Sequence, residues 1–313
     1  MIHTICFFNY WHNGDVYAGK GYMQDIIRQM PNIKFQHAQL NSLKTMRDLD
    51  CEHIHTDTLG TNVPSAARYI DHEGVLYINT WVGAYGNAVI PQGQHHANWV
   101  SLYKMWMHIY DAIDQVFGTT LERTDDITHY IPTTDWSKFD IAPADRFLGQ
   151  HENIVLMCNG LVRSTQSNLG LMEDVVVPLA LEHPEINFVC TSKFDVSGID
   201  APNIYFTDDI FADVEGGDIN EIAYLSTRAF LIMGKNSGPF MFTHIQENIL
   251  DPNKIFMSMS HRSSDSYAWG VLGFECRYYH YSADDTANAA GVLREAIKNR
   301  NTLGPGAIEE VGL

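Results

Sequence analysis

The sequence predicts an α/β protein built of two doubly wound, Rossmann-like domains that face a central cleft. Three observations carry this. Short, continuous apolar runs of strand length alternate with stretches of helical period. The alternation begins afresh at Ile154, after a segment with no sustained period. The 313 residues suffice for two domains of ordinary size, each with its own core.

In the first half, Ile2 to Phe8 reads as a strand. Val16 to Met30 reads as a helix, with apolar residues at Tyr22, Met23, Ile26, Ile27 and Met30, and Ile33 to His37 as the next strand, completing a β-α-β unit. Strands are expected at Glu52 to His55 and at Val75 to Val82, with a helix between Pro64 and Ile70. From Asn98 to Phe117, residues Trp99, Leu102, Tyr103, Trp106, Ile109, Tyr110, Ile113, Val116 and Phe117 follow one another at helical steps, an amphipathic pattern whose aromatic stripe belongs to a core. Between Ile131 and Asn153, Pro132, Pro143 and Gly149 interrupt a polar stretch, which places the boundary between domains 1–145 and 146–313.

The second half repeats the theme. Strands are expected at Ile154 to Cys158, Ile186 to Thr191, Asn203 to Phe206, Phe230 to Met233, Ile255 to Met259 and Arg277 to Tyr281. Helices are expected at Leu171 to Glu182 around Pro178, at Asp218 to Ser226, at Pro239 to Asn248 and at Ala283 to Asn299. The last opens on Ser282-Ala283-Asp284-Asp285, a capping-box pattern.

Hydrophobic residues make up 45% and charged residues 19% of the chain, as in a folded globular protein. With 20 Lys and Arg against 38 Asp and Glu, the net charge of −18 opposes nucleic acid and anionic membrane surfaces as general partners. An anionic ligand therefore needs a local collection of cations or N–H donors. The start of the chain lacks a basic leader region, its apolar run being broken by Asn9 and His12, and no stretch has the apolar length of a transmembrane segment. The five cysteines form no close pair and read as reduced core thiols, so a cytoplasmic location is the expectation.

In doubly wound domains the loops that follow strands supply the site. Three such loops stand out. In "NYWHNGDVYAGKGY", residues 9–22, Asp15 of Asn13-Gly14-Asp15 either caps the first helix or projects as a carboxylate base, and His12 beside it could serve the same role. In "CNGLVRSTQSNLG", residues 158–170, Arg163, Ser164 and Thr165 suit a phosphate, with an ordinary polar loop as the competing reading. In "MGKNSGPFMF", residues 233–242, an apolar strand passes through Lys235, Asn236 and Ser237 into Gly238, Pro239 and Phe240. That is a helix start whose free N–H groups bind anions. His261 and Arg262 follow the next strand. Cations and N–H donors thus collect at several strand ends of one domain, as a diphosphate requires.

The early Gly-Asp between first strand and first helix, together with a Ser-Gly-Pro between a late strand and helix, resembles the GT-B glycosyltransferases. Within that fold the chain is most similar to the heptosyltransferase-like family (glycosyltransferase family 9-like). The resemblance implies Asp15 as general base and Ser237, Gly238 and Pro239 as contacts to the donor diphosphate, with Arg163 as the basic residue of the first loop of the second domain. It implies an N-terminal acceptor-binding domain and a C-terminal domain that binds a nucleotide-diphosphate sugar donor. The activity implied is transfer of a hexosyl or heptosyl group to a glycan or glycolipid acceptor in polysaccharide biosynthesis, with no cofactor and no metal. Asn236 stands where that family has an acidic residue.

Asp48-Leu49-Asp50 matches the short acidic motif of metal-dependent GT-A transferases. His53-Ile54-His55 and His95-His96 could begin the metal site of a hydrolase, but neither pair has the spacing of a recognised motif. A non-catalytic nucleotide- or sugar-binding protein is the other alternative. On the acceptor side, Asn13 and Gly14 border Asp15. In "GVLYINTWVGAYG", residues 74–86, Asn79, Trp81 and Tyr85 resemble the amide and aromatic groups that hold a sugar ring; a buried strand and its turn is the competing reading.

Overall fold

The computed structural model describes residues 2–40, 43–59, 67–89, 98–160, 173–215, 218–235, 238–260, 266–268, 270–282, 289–300 and 309–310. The chain divides into two units, Met1–Lys138 and Phe139–Leu313.

The first unit contains strands β1 (Thr4–Asn9), β2 (Lys34–Gln39), β3 (Glu52–His55), β4 (Arg68–Ile70) and β5 (Val75–Asn79), with helices α1 (Asn13–Ala18), α2 (Lys20–Gln29) and α3 (Trp99–Phe117). Its sheet has the order β3-β2-β1-β5-β4, parallel except for β4, which runs antiparallel to β5. The strand order reverses between β1 and β5, so the loops after these two strands meet at the switch point of the sheet.

The helix expected over Val16 to Met30 is two helices. They part at Gly19, where a Cβ would lie 2.8 Å from the Trp106 ring. Trp106 of α3 stacks on Tyr22 of α2 at 5.2 Å, and Tyr22 stacks in turn on Tyr130 at 4.4 Å. The aromatic stripe of α3 is therefore core, as its period indicates. A capping box starts that helix: Asn98 accepts from the Ser101 N–H at 2.9 Å, and Ser101 Oγ accepts from the Asn98 N–H at 2.8 Å.

The helix expected between Pro64 and Ile70 is not formed at Arg68–Ile70, which is the edge strand β4. Its three residues are all exposed, so no apolar stripe favours a helix, and the backbone pairs with Leu76–Ile78 of β5 instead. The rest of that expected helix lies outside the described residues.

The second unit opens with helix α4 (Ala142–Leu148), so the boundary falls at Lys138 rather than 145. Hydrogen bonds tie this segment to the body of the second unit: the Asp140 N–H donates to Glu221 at 3.2 Å, and the Tyr224 hydroxyl donates to Asp145 at 2.7 Å. The unit continues with β6 (Ile154–Cys158), α5 (Glu173–Glu182), β7 (Asn187–Cys190), β8 (Ile204–Phe206), α6 (Thr207–Ile210), α7 (Ile219–Ser226), β9 (Ala229–Lys235), α8 (Gly238–Phe242), α9 (Gln246–Ile249), β10 (Ile255–Ser260), β11 (Arg277–Ser282), α10 (Ala289–Lys298) and β12 (Glu309–Glu310). All seven strands are parallel in the order β12-β11-β10-β9-β6-β7-β8. Here the reversal falls between β6 and β9. Strand β6, fully buried, and β9, buried except at the half-buried Phe230, read as apolar runs because helices cover both faces of such a sheet.

Instead of one helix over Pro239 to Asn248, the chain forms the short helices α8 and α9. Side chains take the carbonyls between them: Thr243 Oγ1 donates to Phe240 O at 2.6 Å, and Asn248 Nδ2 donates to Thr243 O at 2.8 Å.

Two buried histidines give both units an acid weakness. His244 Nδ1 lies 2.9 Å from the Phe240 carbonyl, which can only accept, so Nδ1 carries the proton. Nε2 then accepts from the Tyr278 hydroxyl at 3.0 Å. Burial pulls the pKa of His244 down to about 4, and burial, helped by the neighbouring His53, pulls that of His37 down to about 3. An unfolded histidine titrates at about 6.5, so the unfolded chain binds more protons than the folded one below that pH. The stability from keeping these rings neutral is complete above about pH 6.5 and is lost as pH falls toward the folded values. Urea denaturation midpoints are expected to fall steadily between pH 7 and 4. Midpoints that rise over that interval would contradict the assignment.

Candidate functional site

At the carboxyl edge of the first sheet, neighbouring strands end in the same device. Asn9, the last residue of β1, accepts the Trp11 N–H at 2.8 Å; Asn79, the last residue of β5, accepts the Trp81 N–H at 2.9 Å. Each carboxamide folds its own strand end into an Asx turn that throws a tryptophan forward. The two turns are joined, since Asn9 Nδ2 donates to Thr80 Oγ1 at 3.3 Å and the Thr80 N–H donates to Phe8 O at 2.9 Å. The indoles of Trp11 and Trp81 stack at 4.6 Å between centroids.

Helix α1 follows directly, with His12 as N-cap and Asp15 in its first turn. Asp15 is half-buried, and His12 is exposed. Burial raises the Asp15 pKa above the ordinary carboxylate value, while the charge of His12 and hydrogen bonds from the backbone at Asp15 and His12 act the other way. The carboxylate thus reaches back to the start of its helix, as an N3 acid does, and is also held where its proton affinity is increased. Gly14 is buried, and the buried Asn13 Oδ1 has no hydrogen-bond partner among the described residues. Asn79 is 4% exposed with its carboxamide engaged by Trp81, and the Tyr85 hydroxyl donates to Asn79 O at 3.1 Å. Both therefore shape the turn that presents Trp81. Sequence reasoning missed Asn9 and Trp11; the repeated Asn-x-Trp, "NYW" and "NTW" at two strand ends, is the signal that marks them.

Asp48-Leu49-Asp50 has a structural use. Asp48 Oδ2 accepts from Lys20 Nζ at 2.6 Å, both side chains being fully buried, and from the Asp135 N–H at 3.1 Å. Among the described residues, no group of three or more His, Cys, Asp or Glu could hold a metal ion. His95 and His96 lie outside the described residues. All five cysteines are free thiols, and no described helix is long and apolar enough to cross a membrane.

In the second unit, the switch point brings the ends of β6 and β9 together. After β6, Asn159 clamps the end of β7 by accepting from the Ser192 N–H and donating to Ser192 O, both at 2.9 Å. Arg163 and Ser164 lie outside the described residues, as do Ser237 and Arg262. Lys235, the last residue of β9, is 2% exposed, and burial lowers its pKa.

Gly238 and Pro239 begin α8 half-buried, while the Phe240 side chain is fully buried against His244 and Phe256. Phe240 can therefore offer a ligand only its backbone. Its ring also explains the glycine before Lys235: a Cβ on Gly234 would come within 2.6 Å of Phe240 and 2.7 Å of Cys158. Since α8 has five residues, it offers individual first-turn N–H groups rather than a summed helix dipole.

No protein-family model and no curated protein sequence matches this chain. Its fold is that of solved GT-B glycosyltransferases. The E. coli heptosyltransferase WaaC, solved with ADP-2-deoxy-2-fluoro heptose, aligns at 10% identity over 95% of this chain and 99% of that one, with a TM-score of 0.53. The same E. coli protein solved with ADP aligns at 9% identity over 95% and 99%, with a TM-score of 0.54.

Proposed function

We propose that this protein is a metal-independent glycosyltransferase that moves a sugar from a nucleoside-diphosphate donor to a hydroxyl of a glycan or other acceptor. The observation that carries the reading is the fold shared almost end to end with WaaC, a heptosyltransferase solved with ADP and with a fluorinated ADP-sugar. In this reading residues 1–138 bind acceptor and residues 139–313 bind donor.

Asp15 takes the proton of the acceptor hydroxyl as that oxygen bonds to the anomeric carbon. The bond from this carbon to the donor phosphate oxygen breaks, and its electron pair leaves with the diphosphate. His12 tunes the carboxylate. The N–H groups of Gly238 and Phe240, together with Lys235, Arg163, Ser164, Ser237 and Arg262, meet the charge of the departing diphosphate, and Pro239 fixes the turn. These donors take the place that a metal ion holds in other transferases.

The test is calorimetry and thermal shift with ADP, UDP, GDP and their sugar conjugates, in EDTA. One nucleoside diphosphate is expected to bind at micromolar affinity and raise the melting temperature, because a ligand of the folded state stabilises it by mass action. Failure of the whole panel, or binding that vanishes in EDTA, overturns the reading.

A further inference from the structure

We propose that the stacked Trp11–Trp81 pair is the acceptor platform and that it selects an uncharged pyranose; this rests on the transferase reading above. Four observations support it. The pair stands at the switch point of its sheet, after β1 and β5, where ligands of open α/β sheets bind. It is built rather than incidental: two Asx turns at 2.8 and 2.9 Å set the backbone, the indoles stack at 4.6 Å, and the Trp81 ring lies so close to Gly83 that a Cβ there would fall within 2.3 Å of it. Trp11 nevertheless remains 45% exposed, a large apolar ring held rigidly in water. Finally, Asn13 Oδ1, two residues after Trp11, is a buried acceptor with no partner among the described residues, a group whose hydrogen-bonding capacity is unused.

The chemistry that fits is a sugar ring. One face of a pyranose is a sheet of C–H groups that packs on an indole, while the hydroxyls around its edge take directional hydrogen bonds. The charge pattern narrows the class. Residues 79–89, "NTWVGAYGNAV", contain no charged group, and in residues 9–19 the only acid or base besides His12 is Asp15. The nearest lysine in sequence, Lys20, is fully buried on Asp48. A carboxylate- or phosphate-bearing acceptor would thus meet Asp15 with no lysine or arginine in these two stretches to offset it, and the charge of His12 is already engaged with Asp15.

The experiment is calorimetric and tryptophan-fluorescence titration of the full chain with maltotriose, chitotriose and lactose, and with sialyllactose as the anionic counterpart. ADP and UDP are titrated in parallel. At least one neutral saccharide is expected to bind and shift the indole emission. Trp11→Ala is expected to weaken it tenfold or more, and Trp11→Phe, which keeps a flat face, to retain most of the affinity. Gly83→Ala, which displaces the Trp81 ring, should weaken it too, with nucleotide affinity unchanged in all three variants.

Binding untouched by Trp11→Ala, preference for sialyllactose, or no saccharide binding by a protein that binds nucleotide would overturn the platform and leave the transferase reading standing. Saccharide binding lost in Trp11→Ala, in a chain that binds no nucleotide, would keep the platform and remove the transferase.

Discussion

Asp15→Asn is expected to lower sugar transfer by about a hundred- to ten-thousandfold, the usual worth of a positioned general base, while the affinity for the nucleoside diphosphate stays within about twofold. Asparagine keeps the shape and the hydrogen bonds at the start of α1 but cannot take a proton, so the loss should appear in kcat and kcat/KM alike.

The pH dependence is the sharper test. The base must be ionised, and burial raises the Asp15 pKa from its ordinary 3.8. The acid limb of kcat/KM should therefore lie above that value, with activity rising as pH increases through it. The charge of His12 lowers the Asp15 pKa, so His12→Ala should move the limb to higher pH. Turnover that survives Asp15→Asn removes Asp15 as base. A chain that binds nucleotide and saccharide yet turns over no donor, in wild type as in variant, is a binding protein.

Gly21→Ala sets two effects against each other, and structure decides the sign. Inside an exposed helix the change would stabilise by about 1 kcal/mol. Here a Cβ would lie 1.9 Å from the carbonyl oxygen of Tyr130 and 2.6 Å from its carbonyl carbon. Backbone cannot turn aside as a side chain can, and this stretch is held on both sides: the Tyr130 ring stacks on Tyr22 at 4.4 Å, and its hydroxyl accepts the Thr124 N–H at 3.0 Å. A loss of roughly 3 kcal/mol is expected, the upper end for overpacking, and a melting temperature lower by roughly 6–12 °C in a unit of this size. Gly118→Ala is the control: its left-handed φ of 66° strains alanine, but none of the described residues lies within 4 Å of the added Cβ, so the loss should be only about 1–2 kcal/mol. Equal melting temperatures for Gly21→Ala and wild type would mean that the contact with Tyr130 is slack.

Most strands were legible because burial on both faces of a parallel sheet writes them as bare apolar runs: Ile154–Cys158 falls where its residues predict. The long helix was legible for the complementary reason, a period of three and four sustained from Trp99 to Phe117. Breaks in helices were not. The break falls at Gly19, where Trp106, distant in sequence, leaves no room for a side chain, and the run after Phe242 turns because Thr243 and Asn248 claim carbonyls that a helix would use. The edge strand Arg68–Ile70 carries no apolar pattern at all, and its pairing with β5 alone makes it a strand.

By itself, then, the sequence determined the α/β class and the restart at Ile154, because each is written in local periodicity and in residues adjacent along the chain. Only the tertiary structure decided that the ends of β1 and β5, and of β6 and β9, stand side by side, and that Asn9 and Asn79 aim two tryptophans into one stack. It also decided that Asp48 answers Lys20 and that Phe240 is core. These are partnerships between residues far apart in the chain, and no local pattern records which side chain will fill the space beside a given backbone.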